Sequence, residues 1–203
     1  IGELFYYQAA YSQALDNYYK ANNIFRKHHY NDELAGNLNK IGETYYYNRQ
    51  YGIALKSFQE AIRIYEKTNN RSGMATSYGF IGQTYEKNND DKQAFHFQNL
   101  ALAEFRKLED QTGIAKIYEN LGSVYEDKLQ LDSALRYFNL ALDLNSSRDD
   151  RMSQIEILNN IGDVFRKSGR FDESLVYSKK AEKLAVELNE PYQQASACRD
   201  LSK

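Results

Sequence analysis

Between residues 111 and 150 the apolar and small residues fall on two stripes. Ala115, Tyr118, Leu121, Gly122 and Tyr125 step by three, three, one and three, which keeps them on one face of an α-helix. Leu131, Ala134, Leu135, Phe138, Ala141 and Leu142 make a second such face, and the segment from Asp127 to Gln130 supplies a polar turn between the two. The pattern predicts a helical hairpin, helix A then helix B, and it recurs. Gly2, Gly42, Gly82, Gly122 and Gly162 stand 40 residues apart. Three residues after each comes an aromatic (Phe5, Tyr45, Tyr85, Tyr125, Phe165) and twelve after a small residue (Ala14, Ala54, Ala94, Ala134, Ser174). An alanine closes each unit: Ala21, Ala61, Ala101, Ala141, Ala181.

A hairpin of this size cannot bury its apolar faces alone, so tandem copies predict one stacked array over residues 1–203. Its parts are a partial repeat 1–30, repeats 31–70, 71–110, 111–150 and 151–190, and a further helix over 191–203. That helix carries Tyr192, Ala195, Cys198 and Leu201 at helix-A spacing, with Ser202 where a sixth glycine would fall. A mid-helix glycine costs about 1 kcal/mol against alanine, so its recurrence reads as a notch that lets helix B cross closely. Around Gly122, Tyr125 and Phe138 are expected to fill that notch. Asp32, Ser72, Asp110 and Asp172 are expected to cap helix starts. Arg26, Lys27, Lys67, Arg106 and Lys107 gather near the ends of B helices, where the helix dipole favours cations. In the third repeat Asp91 and Gln98 stand where the fourth has Leu131 and Phe138, which predicts a poorly packed, locally mobile third B helix. Ile1, Leu4 and Phe5 offer no polar cap at the start. The chain is therefore expected to be a piece of a longer protein whose natural start lies upstream.

The run Ala115-Tyr118-Leu121-Gly122-Tyr125-Ala134-Phe138-Ala141 resembles the tetratricopeptide repeat, and the resemblance covers essentially the whole chain. It implies an all-α, right-handed superhelical solenoid of antiparallel helix pairs. The commonest form of that family has about 34 residues and a helix-ending proline. Here the repeat has 40 residues and links such as Asp110-Gln111-Thr112-Gly113, so the added residues are expected in helix B and at the entry to helix A. The longer form resembles arrays in bacterial regulators, among them Rap-type response-regulator phosphatases, LuxR-like activators and sensor kinases, and in Pins-like polarity scaffolds. That likeness implies a signalling role.

In this family helix A lines the concave face, and the groove positions lie six and three residues before the glycine and one, four and five after it. The resemblance thus implies groove residues Gly36, Asn39, Glu43, Tyr46 and Tyr47 in the second repeat and Thr76, Gly79, Gln83, Glu86 and Lys87 in the third. The fourth offers Lys116, Glu119, Ser123, Glu126 and Asp127, and the fifth Glu156, Asn159, Asp163, Arg166 and Lys167. Glu3, Tyr6 and Tyr7 extend the set into the first. Tyrosines gather toward the N-terminal end and acidic residues with a few Lys and Arg follow, which suits an extended or helical peptide with apolar and basic anchors. Tyr46 and Tyr47 are not needed for repeat packing and are the foremost candidate contacts. The family's chaperone-tail binders carry asparagine just after the glycine, where this chain has Glu3, Glu43, Gln83, Ser123 and Asp163. An acidic C-terminal tail is therefore a poor ligand.

Composition narrows the function further. One proline and eleven glycines in 203 residues leave little to break helices. Twenty-six basic and 28 acidic residues give a net charge of −2, which provides no field for a phosphate backbone and argues against direct nucleic-acid binding. No apolar run approaches the roughly 18 residues of a membrane helix, so no membrane insertion by this segment is expected. The lone Cys198 holds a packing position and excludes both an intrachain disulfide and a multi-thiolate metal site. His28, His29 and His96 lack the i, i+4 spacing of a helical zinc site. Asp90-Asp91 and Asp149-Asp150 sit at helix entrances, where capping explains them without acid–base chemistry. Asn70-Arg71-Ser72 and Asn145-Ser146-Ser147 match a glycosylation pattern but read as turn residues. No nucleophile elbow, phosphate loop or dinucleotide fingerprint is present, so neither cofactor nor catalysis is expected. The reading is a non-catalytic protein-interaction module. Its alternatives are a self-association device forming a homo-oligomer, and part of a Rap-like phosphatase that would need a further helical domain.

Overall fold

The computed structural model describes residues 2–188, and their regular structure is entirely α-helix. The helices are α1 (Gly2–Tyr7), α2 (Tyr11–His28), α3 (Asn31–Tyr47), α4 (Tyr51–Thr68), α5 (Arg71–Lys87), α6 (Asp91–Lys107), α7 (Gln111–Asp127), α8 (Leu131–Ser147), α9 (Arg151–Lys167) and α10 (Phe171–Glu187). The chain divides into two compact units, Ile1–Glu109 and Asp110–Lys203. In the first, α1 packs on α2, α3 on α4 and α5 on α6; α2 then meets α3, α4 meets α5, and the A helices α3 and α5 touch directly. In the second, α7 packs on α8 and α9 on α10, α8 meets α9, and the A helices α7 and α9 touch. The helix expected over 191–203, with Cys198, lies outside the described residues.

The 40-residue period is two equal halves. From α5 to α10 every helix has 17 residues, so the long period is shared by helices A and B alike and not loaded onto helix B and the entry to helix A. Each link turns through a left-handed residue, and these recur every 20 residues: Ala9, His29, Arg49, Asn69, Asn89, Glu109, Leu129, Asp149 and Gly169, with φ between 53° and 74°. At Leu129 its own N–H donates to the Glu126 carbonyl and the Gln130 N–H to the Tyr125 carbonyl, both at 2.9 Å, the paired closure of a Schellman motif. A side chain in this conformation is strained, and Leu129 is 70% exposed with no packing in return. Leu129→Gly is expected to raise stability by roughly 0.5–1 kcal/mol. The check is a higher denaturation midpoint at unchanged slope; a lower one would show that the leucine stabilises the turn.

Of the expected caps, Asp110 accepts from Gly113 N. The cap of α5 is Asn70, two residues before Ser72, and it accepts from Gly73 N at 2.8 Å, which gives this asparagine a structural task. Asp90 and Asp150 cap α6 and α9. Asp32 and Asp172 lie inside the first turns of α3 and α10, where they meet the dipole and do not cap.

The notch is real in four repeats and absent from one. A methyl added at Gly42 would come within 2.5 Å of the Phe58 ring, at Gly122 within 2.6 Å of Phe138, at Gly82 within 2.7 Å of Gln98 and at Gly2 within 2.7 Å of Tyr18. At Gly162 the facing residue is Ser178 and the nearest atom is 3.4 Å away. Gln98 corrects the expectation of a poorly packed third B helix. Its side chain is fully buried in the Gly82 notch, and its Nε2 donates to the Gly79 carbonyl at 3.2 Å. Beside it Phe97 stacks on Tyr85 at 5.6 Å. An amide of nearly the reach of phenylalanine fills the notch because a backbone acceptor lies within range.

Candidate functional site

In the first unit the groove positions four and five residues after the glycine fall in the last turns of α1 and α3, while Tyr11 and Tyr51 open α2 and α4 just beyond the links. Folding each hairpin therefore brings six tyrosines together. Tyr6 meets Tyr7 (5.5 Å between centroids), Tyr11 (6.3 Å) and Tyr47 (5.7 Å); Tyr47 meets Tyr46 (5.1 Å), and Tyr46 meets Tyr51 (5.9 Å). Three of these contacts are edge-to-face, the arrangement the ring quadrupole favours. Tyr7 and Tyr47 remain 79% and 54% exposed. Tyr11 and Tyr51 were not singled out from the sequence, although they too stand 40 residues apart.

Carboxylates border the cluster. Loss of hydration pushes the Tyr6 hydroxyl far above its ordinary range, with Glu43 and then Tyr47 adding to the effect through charge and hydrogen bonding. Burial lifts Tyr46 to about 12, against the lowering pull of Lys87 and with a further rise from Glu86. Lys40 Nζ lies 3.4 Å from Glu43 and 3.9 Å from Glu3. Glu86 is buried and paired with Lys87 at 2.8 Å. Other expected positions serve packing. Asn39 is buried and its Oδ1 accepts from Ser77 Oγ at 3.0 Å, tying α3 to α5. Gly79 is buried beneath Gln98, Gly36 lies beside the Tyr65 hydroxyl, and Thr76 Oγ1 donates back to Ser72 O. Gln83 is half-buried on α5.

In the second unit the corresponding positions are charged. Lys116 pairs with Glu119 at 2.9 Å, Lys167 of α9 reaches Glu126 of α7 at 2.9 Å, and Arg166 pairs with Asp163 at 2.6 Å. The side chain of Glu126 is held above the usual carboxylate range by burial; Lys167 pulls it down, and Asp163 and Asp127 push it up. Glu156 reaches solvent but is likewise raised, by loss of hydration and then by Glu119, with Lys116 offsetting. Ser123 is half-buried on α7. The Asn159 Oδ1 is buried and has no hydrogen-bond partner. Five carboxylates (Glu119, Glu126, Asp127, Glu156, Asp163) thus stand with three cations (Lys116, Arg166, Lys167) on these positions, an excess of negative charge.

Among the described residues no three His, Cys, Asp or Glu side chains gather as a metal site, and no helix is long and apolar enough to cross a membrane. His28 stacks on Tyr30 and His96 meets Phe97 edge-on, while Asn145 is buried in α8.

The family profile described as tetratricopeptide repeat matches residues 33–107 and 113–187. No curated protein sequence matches. Among solved structures, a Rap protein complexed with competence and sporulation factor is similar at a TM-score of 0.87 and 20% identity, over 97% of this chain and 55% of that one. The Rap conjugation gene regulator of the plasmid pLS20, in complex with the Phr* peptide, gives 0.83 and 22% over 97% and 54%. Aspartyl phosphate phosphatase F from Bacillus subtilis gives 0.85 and 17% over 97% and 51%. The chain spans about half the length of these three proteins, and at such identities the likeness is one of fold.

Proposed function

The chain belongs to the tetratricopeptide repeat family, and from that premise we propose that it is a non-catalytic protein-interaction module whose A-helix faces hold a peptide or helical segment with apolar and basic anchors. The run of six tyrosine rings bordered by Glu43 and Glu3 carries the reading. Tyrosine offers a broad apolar body with a polar tip and few rotors to immobilise, and its ring face attracts a guanidinium or ammonium group. Exposed rings such as Tyr7 and Tyr47 give an apolar anchor its contact, and the carboxylates beside them give a basic anchor its charge partner.

In the second unit a cationic side chain would stabilise the charged forms of Glu126 and Glu156, which loss of hydration disfavours. Binding a cation lowers the raised pKa values of these carboxylates, so affinity should grow as pH rises through their range and weaken below it. Two structures of the same fold hold the Phr* peptide or competence and sporulation factor, and their proteins are about twice as long, which supports a sensing or scaffolding segment within a larger signalling protein. The activity named for phosphatase F is that of a protein of which this chain matches half.

The test is fluorescence anisotropy with short labelled peptides that pair arginine with leucine or phenylalanine. Such peptides are expected to bind, Tyr46→Ala with Tyr47→Ala to weaken them about tenfold or more, roughly 1.4 kcal/mol, and Glu126→Lys with Asp127→Lys to act selectively on the basic ones. Binding indifferent to both double changes would defeat the reading. A chain that ignores every peptide but dimerises with concentration in sedimentation would be a self-association device instead.

A further inference from the structure

In the hairpins beginning at α5, α7 and α9, an aromatic of helix A packs against an aromatic of helix B, stacked in the first two and tilted in the third. The pairs are Tyr85 with Phe97 at 5.6 Å, Tyr125 with Tyr137 at 5.3 Å and Phe165 with Tyr177 at 5.3 Å. The same positions in the α3/α4 hairpin are Tyr45 and Ser57. No ring stacks on Tyr45 among the described residues; its hydroxyl meets that of Tyr19 at 3.2 Å. Two more exchanges go with this one. Asn22 stands one period before Ile62, and Leu38 one period before Tyr78. Ile62, Tyr78 and Phe97 gather in one apolar cluster with Phe58 and Ile81. The side chains that fill the later hairpin are smaller or polar in the earlier one, and a cleft of about 370 Å³ lies between α2 and α4.

Leu38 and Ile41 form the floor of this cleft, Asn22 and Ser57 its walls, and Arg26 and Glu60 its rim. The Asn22 Oδ1 accepts from Asn37 Nδ2 at 2.6 Å, which fixes the side chain and leaves its own amide N–H groups for the cleft. The Ser57 hydroxyl is already engaged, donating to Ile53 O at 3.2 Å. Arg26 Nη2 bridges to Glu60 Oε1 at 2.8 Å, from α2 to α4 across the mouth. Both partners are about half exposed, so the pair is screened and parts readily. Beneath it the floor is apolar and buried, with Leu38 and Ile41 only 4% and 1% exposed.

The geometry points to a side-chain pocket that takes a phenylalanine or tyrosine from a partner protein lying along α2 and α4, on the B-helix side and apart from the tyrosine cluster. Ser57 on its wall stands where the following hairpins supply a ring of their own, Phe97 one period later and Tyr137 two. The volume is at the lower end of the roughly 300–1,000 Å³ of ligand clefts, which suits one side chain. The floor is apolar, the Asn22 amide can donate to a phenol, and the Arg26–Glu60 pair offers both signs of charge to residues flanking the anchor.

The probe is N-acetyl-phenylalaninamide, titrated into the whole chain while the Leu38 and Ile41 methyl and Asn22 side-chain amide resonances are followed by NMR. Saturable shifts confined to these groups are expected, with none from N-acetyl-alaninamide. Ser57→Phe, which installs the ring of the next hairpin, should reduce probe affinity at least tenfold without lowering the melting temperature. Asn22→Ile fills the same space from the opposite wall and should do likewise if the first variant fails to fold. Shifts that persist in both variants, or equal shifts from both amides, would overturn the pocket. A concentration-dependent dimer that Ser57→Phe dissolves would overturn it too, by seating a second copy of this chain there.

Discussion

Gly122→Leu is expected to destabilise the fold by about 1–3 kcal/mol through overpacking, although leucine is the better helix former by nearly 1 kcal/mol. Packing decides the sign. A Cβ at this position comes within 2.6 Å of Phe138 Cδ1, and Phe138 is fully buried, so it has nowhere to retreat. At this chain length each kcal/mol should move the melting temperature by roughly 2–4 °C. Gly162 supplies the control, since it occupies the same place in its repeat but faces Ser178, and an added methyl finds its nearest neighbour at 3.4 Å. Gly162→Ala should therefore stabilise by about 0.5–1 kcal/mol, the ordinary gain for alanine in a helix. Opposite signs at two glycines in one register would establish that the notch, and not the glycine as such, is what the repeat requires. An unchanged melting temperature for Gly122→Leu would remove the notch from the account.

The helices and their pairing were legible because a period of 3.6 inside a period of 40 leaves one arrangement that buries every stripe. The turns were much less so. Their left-handed residues include histidine, arginine, glutamate and leucine, with glycine only at Gly169, because the Schellman hydrogen bonds impose the geometry whatever residue stands there. Gln98 misled for a related reason. By type it reads as a weak core residue, and only the fold shows the Gly79 carbonyl within its reach. At the candidate site Tyr46 and Tyr47 stood out as tyrosines without a packing duty, and Tyr6 and Tyr7 as groove positions of the first repeat. Tyr11 and Tyr51 did not, since they belong to the following helices and join the cluster only when the link folds helix B back. Asn39 shows the converse: its place in the repeat suggests a groove residue, yet its side chain is engaged by Ser77 of the next repeat. Ser57 is legible only by comparing repeats, because what it signals is the ring that is missing.

Phe58→Ala should cost the most of any single change, about 3–5 kcal/mol for a buried phenylalanine lost from a packed site. The ring is fully buried, plugs the Gly42 notch and stacks on Phe80 at 5.2 Å with the planes 10° apart. Around it lie Ala54, Ile62 and Ile81, small or β-branched side chains that cannot collapse far into the space. The consequence extends to the tyrosine cluster. Helix α3 carries Glu43 beside the notch and ends on Tyr46 and Tyr47, so slack between α3 and α4 should also weaken peptide binding without altering a contact residue. Gly42→Leu alone should destabilise as Gly122→Leu does, because its Cβ would lie 2.5 Å from the Phe58 ring. Combined with Phe58→Ala, the leucine finds room, and denaturant unfolding of the four proteins should give a favourable coupling of about 0.5–3 kcal/mol. Strict additivity would mean that Gly42 and Phe58 act separately and that the hairpin is held by its flanking contacts alone.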